Sequence, residues 1–156
     1  MRLLTTLIFC LSISTASCAA QPLHHSPLHL ARESPFIAIT IIDCYDGDTC
    51  TASLSDPWLP PVLGERIAVR LAGIDTPEIH GRCAAEIHLA HQARAFLRAQ
   101  LAAAQRVDLL APQRDKYFRL RGYLIADGRN LSTALIEAGL ARIYNGGARQ
   151  SWCVPS

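Results

Sequence analysis

The segment RIAVRLAGIDTPE, residues 66–78, decides how the chain folds, because it joins a strand pattern to a polar cluster. Ile67, Val69 and Leu71 fall on one face of this segment, which is the period-two signal of a half-buried strand. Pro77 opposes the continuation of regular structure, because the residue before a proline avoids the helical region. The segment therefore predicts a strand that is followed directly by a loop rich in carboxylates.

Further strand and helix patterns surround this segment. Strands are predicted at residues 36–43, 49–53, 107–110 and 121–126, an extended stretch at 140–144 and a proline-rich loop at 56–64. The Asp46-Gly47 pair predicts a tight turn that joins the first two strands into a hairpin. Residues 83–104 lack Gly and Pro and are rich in good helix formers, which predicts a long helix. Ser132 is predicted to cap a short helix that stops at Gly139.

The order of these elements predicts the fold. Many short strands, with one long helix between the third and the fourth, are typical of a small Greek-key barrel. We therefore expect an α+β fold: a five-stranded OB-type barrel with one long and one short helix. The 156 residues suit a single domain, and the balance of 50% apolar to 18% charged residues excludes a disordered chain.

The first 35 residues are predicted to lie outside this domain, which would occupy residues 36–156. Residues 1–20 have a positive start, a short apolar run and small residues up to Ala20, the order of a secretory signal peptide. Cys18 leaves open a lipoprotein alternative, with the lipid on that cysteine. Residues 21–35 are polar and contain three prolines, which predicts a flexible linker. We expect an exported protein, periplasmic or secreted, with no membrane span.

Four cysteines follow the predicted signal peptide: Cys44, Cys50, Cys83 and Cys153. An even number of cysteines in an exported chain predicts disulfides, and four cysteines allow three connectivities. Cys44 and Cys50 flank the Asp46-Gly47 turn on strands that are predicted to be antiparallel, which favours their pairing. That pairing would leave Cys83 for Cys153.

Three polar clusters carry the candidate chemistry: DGDT at residues 46–49, RLAGIDTPE at 70–78 and DKYFR at 115–119. Each cluster alone has a structural explanation, as a turn, a strand end or a solvated face. In this order they resemble the staphylococcal nuclease-like (thermonuclease) family, over residues 41–144. The resemblance implies a Ca²⁺-dependent nuclease that hydrolyses phosphodiester bonds of DNA, RNA or both. The net charge of +2 is too small to indicate a nucleic-acid partner by itself.

The resemblance also assigns roles to the acidic residues. Asp48, Asp75 and the backbone carbonyl of Thr76 would bind Ca²⁺, a hard cation that takes roughly 6–8 oxygen ligands. Glu78 would act as the general base for the attacking water.

Basic and aromatic residues would bind the substrate. The resemblance implies that Arg70 and Arg119 neutralise charge in the transition state, a role that suits the rigid guanidinium fork. Lys116 and Tyr117 would contact a terminal phosphate, and Tyr144 would correspond to a further tyrosine of the family.

One departure from the family pattern affects Arg119. Phe118 stands where the family usually has glycine, and a positive φ at this position would strain a phenylalanine. Arg121 is then a competing candidate for the catalytic role.

Two other functions are compatible with parts of the sequence. An inactive OB-type module would bind nucleic acid without cutting it, although the presence of all the carboxylates and arginines favours the enzyme. A zinc-stabilised domain would use His80, Cys83, His88 and His91, which have no tight ligand spacing. The expected partner is therefore a nucleic acid, bound by a monomer with no stable protein partner.

Overall fold

The computed structural model describes residues 36–54 and 65–153. The predicted signal peptide, the linker and the loop at 56–64 lie outside the described residues. The strands are β1 (Phe36–Cys44), β2 (Thr49–Leu54), β3 (Ile67–Leu71), β4 (Ile74–Asp75), β5 (Val107–Arg114), β6 (Leu120–Ala126), β7 (Arg129–Asn130) and β8 (Arg142–Ile143). The helices are α1 (Ala84–Ala103) and α2 (Leu131–Glu137).

Five of these strands form a closed barrel. Strands β3, β2, β1, β5 and β6 are antiparallel neighbours in that order, and β3 pairs in parallel with β6 to close the sheet. The predicted five-stranded OB-type barrel, with one long and one short helix, is thereby confirmed. The short strands β4 and β8 pair with each other outside the barrel sheet and place the residues after β4 beside the C-terminal tail.

The core lies inside the barrel and under α1. Ala93 and Leu97 on α1 are fully buried and pack into the same cluster as Leu109 and Leu124 from the barrel strands. Burial of such apolar surface contributes roughly 25 cal/mol per Å², so this cluster is the main source of stability.

Two disulfides tie the chain, and both have the predicted pairing. Cys44 and Cys50 face each other across β1 and β2, and their disulfide is buried in the core. Cys83 precedes the first turn of α1 and is bonded to Cys153, 70 residues further along the chain. The second disulfide therefore fastens the C-terminal tail to the start of α1.

The cap of α2 differs from the prediction. Asn130, not Ser132, is the N-cap residue, because its side-chain oxygen accepts the backbone N–H groups of Ser132 and Thr133. Ser132 lies inside the first turn and is buried, where its hydroxyl donates to the carbonyl of Ala72 at 3.0 Å. The prediction placed the helix start too late because both residue types are good caps.

Gly47, in the loop between β1 and β2, has no room for a side chain. A Cβ atom at this position would lie 2.7 Å from the Cβ of Ala93 and 3.0 Å from Cγ2 of Thr76. The loop therefore packs against α1 and against the residues after β4 more closely than any side chain would permit. This close approach brings Asp46 and Asp48 to the candidate site.

Candidate active site

Asp48 is the buried centre of a polar network between three segments. Only 1% of the residue is exposed, and its Oδ2 accepts the backbone N–H of Thr76 at 3.2 Å and the hydroxyl of Thr76 at 2.8 Å. Its Oδ1 forms an ion pair with the guanidinium of Arg70 on β3. The network thus joins residues that lie 28 positions apart in the sequence.

Asp46 shapes the loop that carries Asp48. Its Oδ1 accepts the backbone N–H groups of Asp48 at 3.0 Å and Thr49 at 2.7 Å. Burial raises the pKa of Asp46, and the hydrogen bond from Thr49 and the charge of Arg70 oppose that rise. Burial likewise lowers the pKa of Arg70, against the attraction of Asp46. The positive charge of Arg70 therefore compensates the charges of two buried carboxylates, those of Asp46 and Asp48.

Asp75 is also buried, and its two oxygens have different partners. Oδ2 accepts the indole N–H of Trp152 at 3.2 Å. Oδ1 lies 3.0 Å from Nε of Arg149, but this ion pair lacks the alignment of a hydrogen bond. Among the described residues, Oδ1 of Asp75 is thus a buried oxygen without a hydrogen-bond donor, a state that is unfavourable unless a cation compensates it.

The acidic residues have the donor types that Ca²⁺ prefers. Asp48 and Asp75 offer buried carboxylates, and Thr76, whose N–H and hydroxyl contact Asp48, also offers a backbone carbonyl. Hard oxygen donors suit a hard divalent cation, and Oδ1 of Asp75 accepts no hydrogen bond, although the guanidinium of Arg149 lies beside it. The residues therefore fit the metal that the sequence predicted.

Glu78 stands at the edge of this acidic region. Its side chain is 43% exposed and forms an ion pair with Nη1 of Arg149. Glu78 lines a cavity of about 210 Å³, which we call the acidic cavity. The residues that line the acidic cavity also include Asp75, Thr76, Arg82, Glu86 and Trp152.

A second cavity, of about 410 Å³, has mainly basic and aromatic walls, and we call it the basic cleft. It is lined by Arg70, Lys116, Tyr117, Arg119, Arg121 and Tyr144, among others. Asp115 is the one carboxylate among its lining residues, and it is paired with Arg119 at 2.8 Å. The fold therefore brings together all the predicted substrate-binding side chains in a cleft that suits an anion.

Asp115 organises the loop between β5 and β6. Its Oδ1 accepts the backbone N–H groups of Tyr117 at 2.8 Å and Arg119 at 3.0 Å, and its Oδ2 accepts Nε of Arg119. Desolvation acts to raise the pKa of Asp115, but the hydrogen bonds from Arg119 and Tyr117 outweigh it and lower the pKa. The ring of Tyr117 lies 5.0 Å from Nζ of Lys116 and 5.3 Å from the guanidinium carbon of Arg119.

Phe118 has the left-handed backbone conformation that the sequence comparison with the family suggested, with φ of +63°. Its side chain is 80% exposed, so burial of its apolar surface does not offset the cost of the positive φ. The hydrogen bonds of Asp115 nevertheless hold Arg119 at the wall of the cleft. Arg121 lines the same cleft from β6, so both arginines would lie near an anion bound there.

Replacement of Phe118 by glycine should raise the free energy of unfolding by about 0.5–1 kcal/mol, because glycine adopts a positive φ without the Cβ penalty. Phe118→Ala is the matched control, since alanine retains that penalty and should give no gain. Urea denaturation of the three proteins measures the difference. A Phe118→Gly protein no more stable than Phe118→Ala would contradict this account of the loop.

Tyr144 reaches the basic cleft, but its hydroxyl is already used. The hydroxyl donates to the carbonyl of Gly147 at 2.7 Å, and the backbone N–H of Tyr144 donates to the carbonyl of Gly73 at 2.9 Å. Tyr144 therefore also positions the start of the tail that returns to the site.

Two residues of the site, Arg149 and Trp152, were not predicted from the sequence. Both contact Asp75 from the C-terminal tail, and both precede Cys153 by a few positions. The predicted disulfide between Cys83 and Cys153 was the signal that could have found them, because it brings this part of the tail to the start of α1.

The zinc alternative is contradicted by the second disulfide. Cys83 is bonded to Cys153 and offers no thiolate, and His80, His88 and His91 are exposed. Within the described ranges, Cys83, Cys153 and Glu86 do lie close together, but both sulfurs belong to the disulfide.

Comparison with models of protein families gives a match. The sequence model of the family described as "Staphylococcal nuclease homologue" matches residues 68–151, which is more than half of the chain. The matched range contains the second and third polar clusters and Arg149, whereas Asp48 precedes it. No curated protein matches the chain. In the described part of the chain, neither helix is long and apolar enough to cross a membrane.

Proposed function

This chain belongs to the staphylococcal nuclease homologue family, and on that premise we propose that it is an exported, Ca²⁺-dependent nuclease that hydrolyses phosphodiester bonds of DNA, RNA or both. The position of Arg70 carries the proposal. Its guanidinium pairs with buried Asp48 and also lines the basic cleft. A phosphate in the cleft would therefore lie beside the acidic residues that fit Ca²⁺.

The acidic residues would hold the metal. Asp48, Asp75 and the carbonyl of Thr76 are the proposed ligands, and their burial excludes much of the competing water. When bound, Ca²⁺ supplies positive charge and a Lewis acid to the phosphate.

Arg70 and Arg119 would stabilise the negative charge that develops on the phosphate in the transition state. Each guanidinium is oriented in advance by a carboxylate, Arg70 by Asp48 and Arg119 by Asp115. Donors that are already oriented need no reorganisation during the reaction, which is why such groups contribute strongly to catalysis. Lys116, exposed on the same loop, would bind a terminal phosphate.

Glu78 would accept the proton of the attacking water. The water oxygen forms the new bond to phosphorus, its proton passes to the Glu78 carboxylate, and the bond from phosphorus to the leaving oxygen breaks. The partly exposed side chain of Glu78 at the edge of the acidic cavity supports this role, because solvent can reach it. Tyr117 and Tyr144 would contact the nucleotide in the basic cleft.

Export is supported by the two disulfides, since such bonds persist in oxidising compartments. We propose a signal peptide at residues 1–20, or a lipid anchor at Cys18, a linker at 21–35 and a nuclease domain at 36–156 that acts as a monomer. The destination would be the periplasm or the medium.

The test of the proposed function is cation-dependent cleavage. We expect the oxidised protein to cut DNA, RNA or both in the presence of Ca²⁺ and to stop when a chelator is added, because the site needs a divalent charge at Asp75. Gel electrophoresis of labelled single-stranded DNA and RNA of the same sequence, with and without chelator, measures this. Binding of these oligonucleotides without cleavage under any cation would instead support the inactive OB-type module.

A further inference from the structure

Arg149 contacts two of the three carboxylates that the proposed reaction uses, Asp75 and Glu78. Its Nε lies 3.0 Å from Oδ1 of Asp75, and its Nη1 contacts Oε1 of Glu78. Burial acts to lower the pKa of Arg149, but the hydrogen bond that it donates to Glu78 and the charges of Asp75 and Glu78 raise the pKa overall. The positively charged guanidinium of Arg149 thus contacts the carboxylates of both Asp75 and Glu78.

Covalent and stacking contacts fix the part of the tail that carries Arg149. Cys153 is disulfide-bonded to Cys83 at the start of α1. The ring of Trp152 packs on Arg142, whose guanidinium carbon lies 3.8 Å from the ring centre. The position of Arg149 is therefore part of the fold and not the chance position of a free chain end.

A divalent cation on Asp75 would compete with Arg149 for the same oxygen. Two positive groups within hydrogen-bonding distance of one carboxylate oxygen repel each other strongly in a buried setting. The side chain of Arg149 is 46% exposed, so it can leave the carboxylates by rotation while the disulfide keeps the backbone in place.

Arg149 lines both the acidic cavity and the basic cleft. Arg70 and Arg119 already line the cleft, and a third guanidinium would add paired donors for phosphate oxygens. We infer that Arg149 is a further phosphate-binding residue, held on Asp75 and Glu78 until a divalent cation displaces it. This inference rests on the proposed function.

Two binding measurements on the disulfide-bonded full-length protein test the inference. Arg149→Gln should tighten the binding of Ca²⁺ alone by about three- to tenfold, because the competing charge is gone. With saturating Ca²⁺, the same variant should bind thymidine 5′-monophosphate about tenfold more weakly, because a charged hydrogen-bond donor is missing. Isothermal titration calorimetry measures both dissociation constants.

Two further variants separate charge from geometry. Arg149→Lys should keep nearly the wild-type affinity for Ca²⁺ but lose affinity for the nucleotide, because lysine lacks the guanidinium fork. Arg129→Gln is the matched control and should change neither constant. Arg129 pairs at 3.3 Å with the exposed Glu137 and lines neither the acidic cavity nor the basic cleft.

The possible outcomes distinguish this inference from the proposed function. Equal Ca²⁺ affinity in the wild type and Arg149→Gln, or equal nucleotide affinity, overturns the role of Arg149 and leaves the Ca²⁺-dependent nuclease intact. Absence of Ca²⁺ binding in both proteins overturns the Ca²⁺ dependence, and the inference fails with it.

Discussion

Arg119→Lys should lower kcat for DNA cleavage by about two to three orders of magnitude, with a small change in KM. Loss of one oriented donor to transition-state charge typically has an effect of this size. Arg119 is oriented by two hydrogen bonds to Asp115, one from its backbone N–H at 3.0 Å and one from Nε at 2.8 Å. Lysine cannot reproduce the planar fork that would remain free for phosphate. Steady-state kinetics with saturating Ca²⁺ measures the two constants separately.

Arg121→Lys is the matched control, because Arg121 lines the same cleft and carries the same charge. Arg121 is exposed on β6, and no carboxylate among the described residues pairs with it to orient it. Its replacement should change kcat by less than about threefold, as is usual for an exposed charge. The assignment of the catalytic arginine is wrong if Arg121→Lys loses activity while Arg119→Lys keeps it.

The barrel strands were predictable because each strand is long enough to show which of its faces is buried. The residues Ile67, Val69 and Leu71 mark one face of β3, and both neighbouring strands pair with it in register. Arg70, on the other face, is also buried, which the alternation did not predict. Strands β4 and β7 contain two residues each, which is too few for any periodicity, and they were missed. β4 pairs with the distant strand β8, and no local sequence pattern predicts such pairing, whereas β7 pairs with the adjacent strand β6.

The sequence predicted which residues belong to the site, but it did not predict which other residues contact them. The three clusters placed Asp48, Asp75 and Arg119 in a site, since their order matches the family. The contact between Asp75 and Arg149 depends on the return of the tail through the disulfide of Cys153, a long-range event. The motif resemblance seen in the sequence covers residues 41–144 and stops short of that segment, so only the paired cysteines pointed to it.

Asp75→Asn should abolish measurable activity, with a loss of at least about a thousandfold. A bound metal contributes several kcal/mol of charge stabilisation to a phosphate transition state, and each 1.36 kcal/mol is about tenfold in rate. The fold should survive, because asparagine still accepts the indole N–H of Trp152 and the lost ion pair involves the partly exposed Arg149. We expect the free energy of unfolding to change by less than about 1 kcal/mol. Single-turnover cleavage and urea denaturation measure the two effects.

Asp48 differs from Asp75 in its effect on stability. Two unpaired carboxylates would repel each other, and removal of either would then leave the fold intact. Asp48, however, is paired with buried Arg70, and Asp48→Ala would leave that guanidinium without its nearest partner. Breaking a buried ion pair destabilises a protein by about 3–5 kcal/mol. We therefore expect loss of activity with loss of stability in Asp48→Ala, and loss of activity alone in Asp75→Asn. An Asp75→Asn protein that is fully active, or as unstable as Asp48→Ala, would contradict the roles assigned to the two carboxylates.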